Sequence, residues 1–336
     1  MAPTDAAPRA QAPGPPDGAG LAARLRDGDL TVAPAVLNLV ENRSSASRAA
    51  IADLLRAVAP AALGGEAAGH VIGVTGPPGA GKSTLLSALV RQWRGEDRSV
   101  AVLAVDPSSR RSGGSLLGDR ARIMFDPADP ATFIRSTAAG TRLGGLAPAT
   151  RAAAHALAVA FDVVVIETVG VGQSETEISE VADSVAVIVQ PGSGDSLQFL
   201  KSGIMEIPDV LVVTKADLGD IALRARRDLN AALRSAGSRD TAVVAVSAVA
   251  TPPVGIADLT VALDAHRAAL DIPQQRLQSR RSSALADFVA EHGDRGLRAL
   301  GGLRAARRFL AVQPRGEDIP TLVTALEDHA RELSRP

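Results

Sequence analysis

The stretch Val71–Ser83, VIGVTGPPGAGKS, decides the fold. Val71, Ile72 and Val74 read as a short buried strand, which Thr75 ends. Gly76-Pro77-Pro78-Gly79-Ala80-Gly81-Lys82-Ser83 then fits the phosphate-loop pattern G-x-x-x-x-G-K-[ST], and Thr84 to Val90 continues as an apolar helix. A triphosphate needs this order of parts. Glycines let consecutive backbone N–H groups face one concave surface, and the start of a helix adds the positive end of its dipole. Lys82 is placed to reach the β- and γ-phosphates, and the Ser83 hydroxyl to bind Mg2+. A plain glycine turn between a strand and a helix is the bland alternative, and the whole strand–loop–helix context speaks against it. The loop by itself leaves GTPase, ATPase and small-molecule kinase open.

Composition narrows the field. A chain of 336 residues, 46% of them hydrophobic, can bury a large core. A formal charge of −1 argues against nucleic acid held by bulk electrostatics. The absence of cysteine removes disulfides, thiolate metal sites and cysteine nucleophiles. The five histidines show no paired metal-ligand spacing. No apolar run reaches the roughly 18 residues of a membrane helix, and no apolar signal core opens the chain, so a cytoplasmic protein without a membrane partner is expected. Of 36 basic residues only three are lysines, Lys82, Lys201 and Lys215. In an arginine-biased chain a retained lysine marks a place where a compact ammonium is wanted. Lys82 and Lys215 fall inside nucleotide motifs, which draws attention to Lys201.

Residues 1–20 are proline, alanine and glycine with little to bury and read as a disordered tail. Residues 21–65 read as a helical extension: Leu21 and Leu25, then Val36 to Val40 behind Pro34, then Ile51, Leu54, Leu55 and Val58 on one face. Residues 66–270 read as the nucleotide domain. Val100–Val105 is a second buried strand ending in Asp106, an acid well placed for a metal or its water shell. Asp119 in the glycine-rich stretch that follows is a second candidate. Strand Val163–Ile166 ends in Glu167-Thr168-Val169-Gly170, where most GTPases have D-x-x-G. The Glu167 carboxylate can order a metal-bound or attacking water, and the Gly170 N–H can meet the γ-phosphate.

Val185–Val189 and Val210–Val213 are further buried strands. The second ends in Thr214-Lys215-Ala216-Asp217, which fits the guanine tetrad [NT]-K-x-D. Asp217 would accept from guanine N1–H and the 2-amino group; adenine offers neither, and an unpaired carboxylate discriminates strongly. Strand Ala242–Val246 ends in Ser247-Ala248-Val249, whose backbone N–H groups fit guanine O6. Alternating strands and helices predict an α/β fold: a doubly wound, mostly parallel sheet with ligands at the carboxyl ends of its strands. Residues 271–336 are an arginine-rich helical arm, interrupted at Gly293, Gly296, Gly301 and Gly302. In it Ile319, Leu322, Val323, Leu326 and Ala330 form one amphipathic stripe. That stripe suits a dimer contact or packing on its own chain equally well.

Taken together, these blocks resemble the MeaB/ArgK family of P-loop GTPases. The resemblance runs over about residues 28–250 and rests on GPPGAGKST (Gly76–Thr84), Asp106 to Arg120, ETVGVGQSE (Glu167–Glu175), Pro191–Glu206 and TKAD. It implies a GTP-hydrolysing chaperone of an adenosylcobalamin-dependent acyl-CoA mutase, usually methylmalonyl-CoA mutase. The chaperone would gate cofactor loading and protect the mutase. It implies GTP/GDP and Mg2+ as cofactors, a homodimer and a C-terminal dimerising arm. Carried over by position, Lys82, Glu167 and Asp119 are catalytic, and Ser83, Asp106, Asp119 and Glu167 surround Mg2+. Gly76 to Thr84, Gly170, Thr214, Lys215, Asp217 and Ser247 to Val249 hold the nucleotide. Lys201 sits in a third switch loop. Thr214 departs from the commoner Asn and is expected to lose one brace to the phosphate loop. A small-molecule kinase has no use for TKAD and Ser247-Ala248-Val249 at base-contacting positions. A metal-insertion GTPase would want the cysteines or clustered histidines that are absent.

Overall fold

A computed structural model describes residues 17–42, 44–106, 123–138, 146–168, 177–192, 208–235, 237 and 241–334. Seven strands form one sheet: β1 His70–Thr75, β2 Val100–Asp106, β3 Thr132–Ala138, β4 Val163–Thr168, β5 Ser184–Val189, β6 Val210–Val213 and β7 Ala242–Ala245. Their order is β3-β2-β4-β1-β5-β6-β7, with every neighbouring pair parallel. Parallel strands covered on both faces read as nearly continuous apolar runs, which is why β4 and β5 stood out in the sequence. β3 did not. Its sequence, TFIRSTA, follows Phe133 and Ile134 with the polar Arg135, Ser136 and Thr137, so no continuous apolar run marks it.

Alternate side chains of each strand feed two cores. Val71, Leu103, Ile166 and Val187 face one side, together with helices α1 Gly18–Arg26, α2 Ala33–Glu41, α3 Ser45–Ala57 and, after the short α4 Pro60–Leu63, α6 Pro148–Leu157. Ile72, Val102, Val165 and Ile188 face the other, with α5 Lys82–Gly95 and α8 Ile256–Ala269. Helix α7 Asp220–Ser235 joins the first side through Ala222, Leu229 and Leu233. No helix among the described residues is long and apolar enough to cross a membrane.

Helix α1 begins earlier than its apolar pattern suggests. Asp17 caps it, accepting from the Gly20 N–H at 2.8 Å, so residues 17–20 belong to the folded chain and not to the tail. Composition alone misses this because Asp17-Gly18-Ala19-Gly20 has two helix-disfavouring glycines and no large apolar residue to show a periodicity.

The arm consists of α9 Ile272–Ala299, kinked at Gly293, α10 Leu303–Ala311 and α11 Ile319–Leu333. The stripe of α11 packs back on its own chain: Ile319, Leu322 and Leu326 are buried with Leu285, Phe288 and Leu310 in a third core. Of the two uses this stripe suits, a dimer contact or packing on its own chain, the structure shows the second.

Arg276 of α9 joins this arm to the sheet. Its Nε donates to Asp183 Oδ1 at 2.8 Å, and one terminal nitrogen to Asp183 Oδ2 and the Gly69 carbonyl, both at 2.6 Å. The other terminal nitrogen donates to the Ala67 carbonyl, also at 2.6 Å. Asp183 Oδ2 also accepts from the Val71 N–H at 2.9 Å. Both side chains are buried. Burial alone would raise the Asp183 carboxyl, but the bonds from Arg276 outweigh it and hold the group below the usual carboxylate range. One turn on, Arg280 forms a two-pronged pair with Glu66 at 2.9 Å. Beside them His155 Nε2 is shielded from solvent and has no partner among the described residues. Burial, then the charges of Arg276 and Arg280, push this imidazole down to about 4.

Candidate nucleotide-binding site

The carboxyl edge of the sheet gathers the predicted site. The chain leaves β1 at Thr75 and turns at Gly76, whose φ is +150°. A Cβ there would lie 2.6 Å from the Ile188 carbonyl oxygen of β5, so only glycine lets the loop cross so low over its neighbour. At the other end Gly81, φ +91°, is the N-cap of α5. It contributes no side-chain cap, which leaves the first-turn N–H groups of α5 without an acceptor from that position, an arrangement suited to an anion. Lys82 is buried, and its ammonium donates to the carbonyls of Gly76 at 2.7 Å and Pro77 at 3.1 Å. The charge is thus held across the loop by the loop's own oxygens.

Ser83 is partly buried, and Thr84 is exposed one residue on. The carbonyl of Ser83 accepts from Ser87 Oγ at 2.8 Å, and the same Oγ accepts from the Met124 N–H at 2.8 Å. Sequence reading missed this link, because nothing local marks a serine on a helix as an anchor for a segment far along the chain.

Glu167, in the penultimate position of β4, lies opposite Val74 of β1 and Ala104 of β2. It is buried on the strand next to the one that feeds the phosphate loop. Asp106 ends β2 at the same edge; its side chain lies outside the described residues, as do Asp119, Gly170 and Lys201. Of the four residues expected round Mg2+, Ser83 and Glu167 have described side chains. A hydroxyl and a carboxylate are the hard oxygen donors this ion takes, so the donor set fits.

The turn after β6 is tied both to the phosphate loop and to the turn after β7. Thr214 Oγ1 donates to the Ala80 carbonyl at 2.8 Å, with the Val189 carbonyl also in reach at 3.3 Å. The brace expected to be lost with asparagine is therefore made by the hydroxyl, because a buried β-branched residue at the strand end needs no longer reach. Lys215 holds φ +55° and ψ +43°, a left-handed conformation uncommon for a side-chain-bearing residue. It starts the turn Ala216–Leu218, and the Ala216 N–H bonds the Val246 carbonyl at 3.0 Å. Asp217 is exposed, with Oδ1 accepting from the buried Ser247 hydroxyl at 2.6 Å. Ser247 is held in turn by paired backbone bonds to Val254, both 3.0 Å. Ala248 lies beside it half-buried, and Val249 is exposed.

The chain matches a known family. The model of "Methylmalonyl Co-A mutase-associated GTPase MeaB" matches residues 33–295. The chain belongs to the MeaB family. It is thereby a P-loop GTPase, a hydrolase acting on GTP, and binds GTP and GDP. A protein of Mycobacterium tuberculosis described as "Probable GTPase" is 40% identical over 259 residues, covering 75% of each chain. The "GTPase ArgK" of Escherichia coli is 41% identical over 197 residues, covering 58% of each. A crystal structure described as "LAO/AO transport system kinase" superposes with a TM-score of 0.63 at 28% identity, over 94% of this chain and 97% of that one. The MeaB match begins at the first residue of α2 and ends within α9 beyond its kink. Helices α2 to α8 thus lie within the matched residues.

Proposed function

We propose that this MeaB-family GTPase is a chaperone of an adenosylcobalamin-dependent acyl-CoA mutase, methylmalonyl-CoA mutase first, gating its cofactor loading and protecting it by GTP hydrolysis. The family's own description names that mutase. The observation that carries the nucleotide part is the Ser247–Asp217 bond: it holds a carboxylate at the base end of a phosphate cradle. Guanine would pair with Asp217 through N1–H and the 2-amino group, and its O6 would meet the backbone N–H groups of Ala248 and Val249. Lys215 would lie along the base plane, and Thr214 would keep this half in register with the phosphates.

In the reaction a water oxygen bonds to the γ-phosphorus as its bond to the bridging oxygen breaks, giving GDP and inorganic phosphate. Lys82 would leave the carbonyls of Gly76 and Pro77 and neutralise the β- and γ-phosphates. The backbone of Gly76–Thr84 would hold the rest of the chain of phosphates. Glu167 would orient the attacking water and draw its proton away from the forming bond. Asp119 and the Gly170 N–H would complete the γ-phosphate side. Mg2+, when bound, supplies charge neutralisation on the phosphate oxygens; Ser83, Asp106, Asp119 and Glu167 would hold it, directly or through water.

We take residues 21–65, 66–270 and 271–336 as extension, GTPase core and arm, working as a homodimer. Because the α11 stripe is buried within its own chain, other surfaces of the arm would join the subunits. The test is reconstitution. Transfer of adenosylcobalamin to the mutase should require GTP, fail with a non-hydrolysable analogue, and be lost in Lys82→Ala. Transfer indifferent to GTP, GDP or their absence would overturn the proposal.

A further inference from the structure

Five side chains run in line across the amino end of the sheet, the edge opposite the nucleotide site. Ser184, the first residue of β5, is buried between two imidazoles: His70 Nε2 lies 2.9 Å from its Oγ and His266 Nδ1 lies 2.8 Å from it. His70 opens β1 and is itself buried, while His266 belongs to α8 and is partly exposed. Beyond His266, its Nε2 meets Asp209 Oδ1 at 3.1 Å, and the other oxygen of Asp209 accepts from the Val185 N–H at 2.7 Å. Beyond His70, its Nδ1 lies 3.7 Å from Asp264 Oδ1, too far for a hydrogen bond, and has no partner among the described residues. Asp264 is about half exposed and accepts from Arg98 at 2.8 Å.

A hydroxyl carries one proton, so Ser184 donates to one imidazole and accepts from the other. The Asp209 carboxylate fixes a proton on His266 Nε2. A neutral His266 then offers a lone pair at Nδ1, Ser184 donates to it, and His70 Nε2 donates to Ser184. His70 Nδ1 is left as a bare lone pair, in keeping with its lack of a partner and with Asp264 standing off. We propose that this line is a one-proton relay: protonation of His266 reverses the Ser184 hydroxyl and converts His70 from the Nε2–H to the Nδ1–H tautomer, which then donates to Asp264. The protons balance. A solvent proton arriving through Asp264 joins His70 Nδ1, the His70 Nε2 proton passes to Ser184 Oγ, and the serine proton passes to His266 Nδ1. His70 ends neutral, and the positive charge rests on His266 beside Asp209. Burial favours that outcome, since it holds the His70 imidazole below its ordinary value. Of the charges around His70, Asp183 and Asp264 favour a cation and Arg267 opposes one. Arg98, bonded to Asp264 and 3.9 Å from Glu96, and Arg276, bonded to Asp183, complete the surroundings. A second proton has no place: two N–H groups would face Ser184, whose own proton would be stranded in a dry site between two cations. Protonation thus adds one bond between α8 and β1, and the seating of this helix answers to pH across the histidine range.

The experiment is nitrogen-15 NMR of the full chain labelled at its five histidines, with His70→Gln and His266→Gln to assign the two rings. Between about pH 8 and pH 5, His70 should pass from the Nε2–H to the Nδ1–H tautomer in step with protonation of His266, and stay neutral throughout. Ser184→Ala should leave His266 titrating and abolish the tautomer change at His70. Asp209→Asn, at a partly exposed side chain where folding is less at stake, should move both transitions together to lower pH by roughly one unit. A His70 tautomer that stays constant while His266 titrates would overturn the relay. So would a His70 that becomes doubly protonated in the same range, a tautomer change that survives Ser184→Ala, or an Asp209→Asn shift confined to His266.

Discussion

Ser247 donates its hydroxyl proton to Asp217 Oδ1 at 2.6 Å, from a side chain that is itself buried and fixed by two backbone bonds. A carboxylate so held presents its second oxygen in one direction. Ser247→Ala frees Asp217 to rotate and should weaken GTP binding about tenfold, the usual size for a hydrogen bond to a charged group. Asp217→Asn should turn preference toward xanthosine nucleotides, because an amide donates to the 2-oxo group. Competition between labelled GDP and XDP measures both, and an unchanged preference would place the base elsewhere.

Thr214→Val keeps the shape of the side chain and removes its proton. The buried Ala80 carbonyl then loses its partner, at a cost of about 1–3 kcal/mol. Thermal unfolding should show the loss without nucleotide, and GDP affinity should fall with it. Thr214→Asn should retain both.

Glu167→Gln preserves volume and removes the charge proposed to orient water. Single-turnover hydrolysis should fall by about 100-fold or more while GTP affinity changes little, since the effect belongs to the transition state. Equal losses in binding and rate would assign Glu167 to ground-state binding instead.

Arg276→Met strands the buried Asp183 carboxylate and should cost about 3–5 kcal/mol in denaturant unfolding. The double variant Asp183→Leu/Arg276→Met, with neither charge left, should recover much of that loss.

The pH dependence follows from His155. Its folded-state value of about 4 lies below the unfolded value near 6.5, so the unfolded chain takes up a proton first as pH falls. Stability should therefore be full above pH ~6.5 and decline toward pH ~4, by up to about 3 kcal/mol. Asp183, also depressed, contributes stability that is lost only at lower pH. His155→Gln should flatten the slope in the first window, as urea unfolding at stepped pH would show.

The legible parts were those whose chemistry is local. The phosphate loop, the strand before it and the turn at Asp217 are each specified within about ten residues, so pattern and spacing sufficed. The buried strands announced themselves because both faces are covered; β3 stayed hidden because Arg135, Ser136 and Thr137 interrupt its apolar run. The stripe on α11 could be read as apolar but not assigned a partner, since periodicity gives a face and not what covers it. Arg276 was one arginine among many in a biased chain. Only the fold reveals that its counter-charge lies at Asp183 and that Thr214 bonds Ala80.

Composition invites a cut near residue 270, where the nucleotide domain ends and the arginine-rich helices begin. Arg276 makes that cut unsafe. A fragment stopping there would keep Asp183 between the amino ends of the two central strands without the cation that allows it to be buried. It would also leave the Ala67 and Gly69 carbonyls without their donor. The two portions of the chain are therefore a single inheritable unit: the GTPase core should fail to accumulate as a recombinant fragment unless Asp183 is neutralised with it.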